Sequence, residues 1–204
     1  MQSQNEYNQY IGDDNFKKFL GHYECEVPLE VVKMRFAGAI CSPNQNLRPT
    51  DIISSFWPDG QTPRLETKKE AELFFKFFMG LWDKILEDIA FNHLTLSYQS
   101  LDNIAFFAHI RHDELEFGFL EGFWGGMSEL KLPAYLADVA DSLAELGGVY
   151  QTLQQRAQKG EDPQLLCKTL KDTDKMVNKT LAFIVENYAL PKIKNFSPTS
   201  NNLQ

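Results

Sequence analysis

The clearest pattern of apolar and polar positions lies between residues 71 and 93. Apolar side chains recur there at steps of three and four residues, which is the spacing of one face of an α-helix. Thr67 and Glu70 stand three residues apart just before this stretch, as in a capping box. Phe75 and Trp82 lie off the apolar face, so we predict a long helix that neighbours cover on more than one side. The face comprises Leu73, Phe74, Phe77, Phe78, Leu81, Ile85 and Ile89.

Helical periodicity also covers most of the remaining chain, and no useful stretch alternates as a β-strand would. Pro43 follows the second helical pattern, and Pro163 opens the last one. We therefore predict an all-α fold, a single-domain bundle of about six to eight helices with a long Phe-rich central helix. The helical domain spans 13–190, between a flexible amino terminus (1–12) and a disordered tail (191–204). The other predicted helices are 15–20, 30–41, 51–56, 101–110, 113–127, 134–159 and 164–188.

The segment 113–127 places glycines inside a helical and aromatic pattern. Gly118 and Gly122 are four residues apart and share a helix face, although glycine costs ~1 kcal/mol relative to alanine in a helix. A flat strip of this kind allows another helix to approach closely. We expect a partner protein, or a second copy of the chain, to dock there against the neighbouring rings. The predicted partner-binding residues are Gly118, Phe119, Gly122, Phe123 and Trp124.

Composition narrows the classes of function. The chain has 204 residues and a formal net charge of -8, and it has no dense run of Lys or Arg, which argues against nucleic-acid binding. Its three cysteines lie far apart, so neither a disulfide framework nor a structural zinc site is expected. The first residues are polar, and no apolar run approaches the ~20 residues that span a bilayer. We expect a cytoplasmic protein without membrane insertion.

One group of residues offers an enzymatic alternative. His109, His112 and Glu116 fall at i, i+3 and i+7 of a helix, near one face, where they would present three metal ligands. Helical di-iron sites, however, pair Glu-x-x-His motifs, and no Glu precedes either histidine by three residues. The chain also lacks a Gly-x-Ser-x-Gly elbow and a P-loop. An enzyme is therefore the less favoured hypothesis, and no cofactor is expected.

Several motifs in order resemble the YecA/YgfB-like family of bacterial all-α proteins. They are VVKMRFAGAICSP over 31–43, LRPTDII over 47–53, the Phe-rich helix, and GFLEG over 118–122. The resemblance covers roughly residues 15 to 150. It implies a helical adaptor or regulator whose partner differs between members, since the family has no established catalytic residues.

The chain departs from the family pattern in three places. It has Lys33-Met34 where the family often has His-Gly, and Leu115 where a Trp often precedes the GFL motif. Some relatives carry a carboxy-terminal Cys/His zinc module linked to protein export, whereas this chain has only Cys167 in its last third. That module's activity is therefore not carried over.

These observations leave three hypotheses for function. The leading one is a non-enzymatic adaptor or regulatory protein that binds another protein through a helical surface. The second is a helical metal-binding protein or metal-dependent enzyme that uses His109, His112 and Glu116. The third is a bundle whose aromatic rings line an apolar pocket for a small molecule.

Overall fold

The architecture is described from a computed structural model, which defines residues 9–44, 46–96, 103–127 and 131–196. These residues form seven continuous helices and no strand, which confirms the predicted all-α class. Two of the helices contain a π-helical turn, in which each N–H bonds to the carbonyl five residues earlier. The elements are α1 (Asp13–His22), α2 (Leu29–Cys41), α3 (Pro49–Ser54), α4 (Lys68–Ala90), α5 (Ile104–Asp113) with a first π segment (Glu114–Leu120) and α6 (Glu121–Trp124), α7 (Ala134–Gln158), and α8 (Pro163–Ile184) with a second π segment (Val185–Ala189) and α9 (Leu190–Phe196).

The long Phe-rich helix α4 organises an aromatic cluster in the amino-terminal half. The Phe78 ring is wholly buried, and its centre lies 5.0 Å from that of Phe74. It also meets Phe36 of α2 and Phe56 after α3, at centroid distances of 6.2 and 5.8 Å. Thr67 accepts a hydrogen bond from the Glu70 N–H at 3.1 Å, as an N-cap does. The Phe78 ring also contacts Phe16 of α1 at 5.4 Å, so the predicted apolar face packs against three neighbouring elements.

Helix α2 is the most completely surrounded element. From Met34 to Cys41 every residue is buried, and only Glu30 and Lys33 are partly exposed. A helix that is apolar on all sides must be enclosed by others, and α2 packs between α4 on one side and the first π segment with α6 on the other. This position puts α2 directly behind the glycine-bearing segment.

A buried polar network joins α5, α7 and α8 in the carboxy-terminal half. The Tyr150 hydroxyl donates to an Asp174 carboxylate oxygen at 2.6 Å, and Arg111 Nε donates to the same oxygen at 3.2 Å. Arg111 also pairs with Glu114 at 2.7 Å. Burial and the Asp174 carboxylate raise the pKa of the Tyr150 hydroxyl. Because each buried charge has an opposite partner, the network holds the three helices in one arrangement.

The last helix extends beyond its predicted end, and Gln9 contacts the domain within the segment predicted to be flexible. Residues 1–8 and 197–204 lie outside the described residues. The Gln9 carbonyl lies against α4, 2.8 Å from the position a Cβ of Gly80 would take. The last helix continues through Pro191 to Phe196, because Lys192 Nζ donates to the carbonyls of Ile40 (3.3 Å) and Ser42 (2.6 Å) at the carboxyl end of α2.

No helix in the described ranges has the length and hydropathy needed to cross a bilayer.

Candidate functional site

The glycine strip of the predicted site is occupied by another helix of the same chain. A Cβ atom on Gly122 would lie 2.0 Å from the carbonyl oxygen of Arg35 in α2, and one on Gly118 would lie 2.7 Å from an α2 side chain. The approach is reciprocal, because a Cβ on Gly38 of α2 would lie 2.0 Å from the carbonyl oxygen of Phe119. Two backbones therefore touch here. The strip is corrected from a partner surface to an internal contact.

The two phenylalanines predicted as contact residues are also internal. Phe119 and Phe123 are 0% exposed and stack with their centroids 6.1 Å apart, facing the core with Gly118 and Gly122. Neither side chain is accessible to a partner, so their assignment as contact residues is corrected. Trp124 alone of the five predicted residues is partly exposed.

The spacing of the glycines explains the burial of these rings. In an α-helix with 3.6 residues per turn, residues four apart drift around the axis by ~40° at each step. The first π segment, Glu114–Leu120, has wider turns that reduce this drift, so Gly118 and Gly122 stay aligned against α2. Phe119 and Phe123 are also four residues apart, each directly after one of the glycines, so both rings face the core as well.

Arg35 connects the inner face of this segment to the rest of the domain through hydrogen bonds. Its guanidinium donates to the Phe117 carbonyl from Nε (2.9 Å) and from a terminal nitrogen (2.7 Å). The other terminal nitrogen donates to the Ser55 carbonyl at 2.8 Å. The pair with Glu121 spans 2.7 Å, with the Arg35 side chain 6% and the Glu121 side chain 46% exposed. Burial lowers the pKa of the Arg35 guanidinium and raises that of the Glu121 carboxyl, and in both groups the partner's charge acts in the opposite direction.

The opposite face of the segment forms an open groove against α7, which we call the outer groove. Phe117 is 50% and Met127 45% exposed along one wall. Gly125 ends α6 in the left-handed conformation (φ 57°), and the chain then turns so that the Met127 N–H donates to the Trp124 carbonyl at 3.1 Å. The groove is lined by Glu116, Phe117, Leu120, Glu121, Trp124, Gly126, Met127, Ala140, Asp141 and Ala144.

Helix α7 supplies a second wall with small side chains. Ala140 and Ala144 lie four residues apart on α7, so both face the groove. Glu116, Glu121 and Asp141 carry carboxylates at its edges, and no Lys or Arg is among the described residues that line it. The outer groove therefore combines an aromatic wall, a small-residue wall and a negatively charged rim.

The predicted metal ligands do not converge. His112 Nδ1 lies 3.1 Å from the Gly147 carbonyl of α7, and Glu116 also packs near Gly147. His109 is half exposed and pairs with Asp113 at 3.5 Å. Among the described residues no group of three or more His, Cys, Asp or Glu side chains is placed to hold a metal ion. The structure thus uses His112 and Glu116 in packing between helices, and the metal hypothesis has no support in the geometry.

Comparison of the chain with protein-family models, curated proteins and solved structures found no match. The YecA/YgfB-like resemblance therefore stays a prediction based on its short motifs. Phe117, Met127, Ala140 and Ala144 line the outer groove but are not among the predicted site residues. The four-residue spacing of the two alanines was a local signal, but their position opposite Phe117 depends on the fold.

Proposed function

We propose that this protein is a non-enzymatic helical adaptor or regulatory protein that binds a helical segment of another protein in the outer groove. The observation that carries the proposal is the aromatic wall of the half-exposed Phe117 and the partly exposed Trp124, which faces Ala140 and Ala144 across an open groove. Grooves with apolar floors receive amphipathic helices, and small side chains on one wall allow close approach.

The charge of the rim specifies the partner further. Glu116, Glu121 and Asp141 border the apolar lining, and the chain as a whole is acidic. A segment with apolar side chains at its centre and Lys or Arg at its edges would complement this arrangement. Exposed charges of this type act mainly on the association rate and the choice of partner, while the apolar contacts supply affinity.

The main chain behind the outer groove is held in place by contacts with α2. Behind Phe117 the main chain is held by Arg35, and behind Gly122 it touches α2 directly. A preformed surface loses little conformational freedom on binding, which favours recognition of a partner that becomes ordered on it. The resemblance to the YecA/YgfB-like family also supports a binding role, because the members of that family have no established catalytic residues.

Affinity capture with a groove-blocking variant tests the proposal. Ala144→Gln puts a longer side chain into the groove, whereas Ser142→Gln makes the same change on an exposed position of α7 outside the lining. Tagged wild type, Ala144→Gln and Ser142→Gln are incubated with lysate of the source cells, and the bound proteins are quantified by mass spectrometry.

We expect a protein that wild type and Ser142→Gln retain in stoichiometric amount and that Ala144→Gln loses. Its binding segment, prepared as a synthetic peptide, should then show the same order of affinities by calorimetry. Equal capture by all three proteins would exclude the outer groove as the binding site.

A further inference from the structure

A second groove, which we call the basic groove, lies between the first turn of α5 and the amino-terminal half of α8. Lys168, Lys171 and Lys175 line it from α8, and Ile104, the first residue of α5, contributes from the neighbouring helix. The groove is open to solvent and has a volume of about 700 Å³. None of the described residues that line it also lines the outer groove, so the two grooves are separate surfaces.

The three lysines lie on one face of α8. They follow each other at steps of three and four residues, and all three are exposed. Within the described ranges the only ion pair of this set joins Lys175 to Asp172 at 3.5 Å, with both side chains more than half exposed. Asp172 also lines the groove, so the lining carries three positive charges and one negative charge. The basic groove is therefore locally positive on a chain whose formal net charge is -8.

Apolar and weakly polar side chains lie beside the lysines on a fixed base. Ile104 packs against the hydrophobic core and is partly exposed, and so is Cys167, which lines the groove one residue before Lys168. Arg111 of α5 donates to Asp174 of α8 at 3.2 Å, so a hydrogen bond joins the two helices further along. A groove whose walls are already joined loses little conformational freedom when a partner binds.

We propose that the basic groove binds an acidic amphipathic helix of a partner protein. Along the axis of α8, Lys171 lies ~4.5 Å beyond Lys168, and Lys175 lies ~6 Å beyond Lys171. A helix alongside α8 repeats these distances when it carries Asp or Glu at i, i+3 and i+7, and apolar residues next to them contact Ile104 and Cys167. Side chains on one face of a β-strand are ~6.7 Å apart, so an extended segment does not match the first step.

Charge and shape favour this occupant over a nucleic acid or a small anion. The phosphates of a nucleic acid extend beyond the ~10 Å that the three lysines span, where they meet a protein of net negative charge. Sites for small molecules enclose most of the ligand surface, whereas this groove is open. A helical segment presents a limited number of carboxylates to the lysines and an apolar side to Ile104, and therefore complements both parts of the lining.

Binding of a designed acidic peptide to the full chain tests the proposal. The probe is a fluorescein-labelled peptide of about 18 residues with Glu at i, i+3 and i+7 and Leu on the adjoining helix face. A second peptide of the same composition alternates Glu and Leu as a strand would. Fluorescence anisotropy at low and high salt measures the dissociation constants for wild type, Lys171→Glu and Lys69→Glu. Lys69→Glu is the matched control, since it makes the same charge change at an exposed position of α4, which does not line the groove.

We expect Lys171→Glu to raise the dissociation constant of the helical peptide at least about fivefold, because a carboxylate then faces carboxylates, and Lys69→Glu to change it less than about twofold. Added salt should weaken binding to wild type. Ala144→Gln, which blocks the outer groove, should leave it unchanged, so this test is independent of the proposed function.

Several results would overturn the proposal. They are a helical peptide that does not bind wild type, equal affinities of Lys171→Glu and Lys69→Glu, and equal affinities for the helical and the alternating peptide. Tighter binding of a single-stranded DNA that Lys171→Glu abolishes would assign the groove to a nucleic acid instead. Self-association of wild type that Lys171→Glu abolishes in sedimentation velocity would assign it to a second copy of the chain.

Discussion

The two faces of the segment from Glu114 to Trp124 differ in what covers them. On the inner face, Gly118 and Gly122 bring the backbone against α2 so closely that even a methyl group would collide. On the outer face, Phe117 and Trp124 stand open beside the small side chains of α7. Both faces carry the same residue types, aromatic rings and small residues. Such a pattern therefore indicates close packing without indicating whether the neighbour belongs to the same chain.

The inner face also makes the outer face possible. A helix with a π turn leaves the regular hydrogen-bond ladder, and Arg35 donates twice to the Phe117 carbonyl within that turn. Phe117 is thereby held with its carbonyl inward and its ring half exposed. If this view is correct, substitutions on the inner face should change stability, while substitutions on the outer face should change binding.

The largest effect is expected for Gly122→Ala. The added Cβ would lie 2.0 Å from the Arg35 carbonyl oxygen, and two helix backbones would have to separate. Overpacking of this kind typically costs 1–3 kcal/mol, so we expect a loss of about 3 kcal/mol in the free energy of unfolding. Urea denaturation followed by circular dichroism measures it. Gly147→Ala is the control: its Cβ would meet only side-chain atoms at 3.8 and 3.9 Å. Equal losses in the free energy of unfolding of Gly122→Ala and Gly147→Ala would contradict the direct backbone contact between the inner face and α2.

A smaller loss is expected for Arg35→Lys. A lysine keeps the charge but has one nitrogen, so it cannot serve the Phe117 carbonyl, the Ser55 carbonyl and Glu121 together. A buried acceptor without its donor costs roughly 1–3 kcal/mol, and we expect a loss of about 2 kcal/mol.

Arg156→Lys provides the comparison for this loss. Arg156 pairs with Glu161 at 2.8 Å on the surface, where such a change should cost under about 0.5 kcal/mol. Urea denaturation measures the free energy of unfolding of both variants. A loss at Arg35 as small as the loss at Arg156 would show that the guanidinium does not hold the π segment.

A gain in stability is expected for Gly148→Ala in α7. Beyond its chain neighbours and the backbone of its own helix, no described atom lies within 4 Å of the added Cβ, the residue is exposed, and it lies in the middle of a regular helix. Alanine favours a helix over glycine by ~0.5–1 kcal/mol, and the midpoint of denaturation should rise accordingly. An unchanged or lowered midpoint would mean that α7 bends or opens at Gly147-Gly148.

The smallest change in stability is expected for Phe117→Ser on the outer face. Its ring is half exposed, so the free energy of unfolding should change by no more than about 0.5 kcal/mol. Binding of the partner captured by the wild type should nevertheless fall, because the apolar wall loses its main ring. Phe106→Ser is the control, since Phe106 is 52% exposed on α5 outside the groove. If Phe117→Ser and Phe106→Ser bind the partner equally well, Phe117 is not part of the partner-binding site.

The predictions that the structure confirms depend on local signals in the sequence. The long Phe-rich helix, the Thr67 cap and the stop after Cys41 all follow from neighbouring residues and all occur in the structure. The predicted end of the last helix at residue 188 was wrong, because the helix continues to Phe196 and its Lys192 bonds to Ile40, far away in the sequence. Local patterns carry no information about such partners.

The all-α class, most helix positions and the close packing at Gly118 and Gly122 follow from the amino-acid sequence, because periodicity and glycine spacing act within a few turns. Which helix fills the strip, and therefore that Phe119 and Phe123 face inward while Phe117 faces out, depends on the tertiary fold. Sequence patterns cannot settle this because core and interface use the same aromatic and small residues. What distinguishes them is the covering element, and here that element is α2, about 80 residues earlier in the chain.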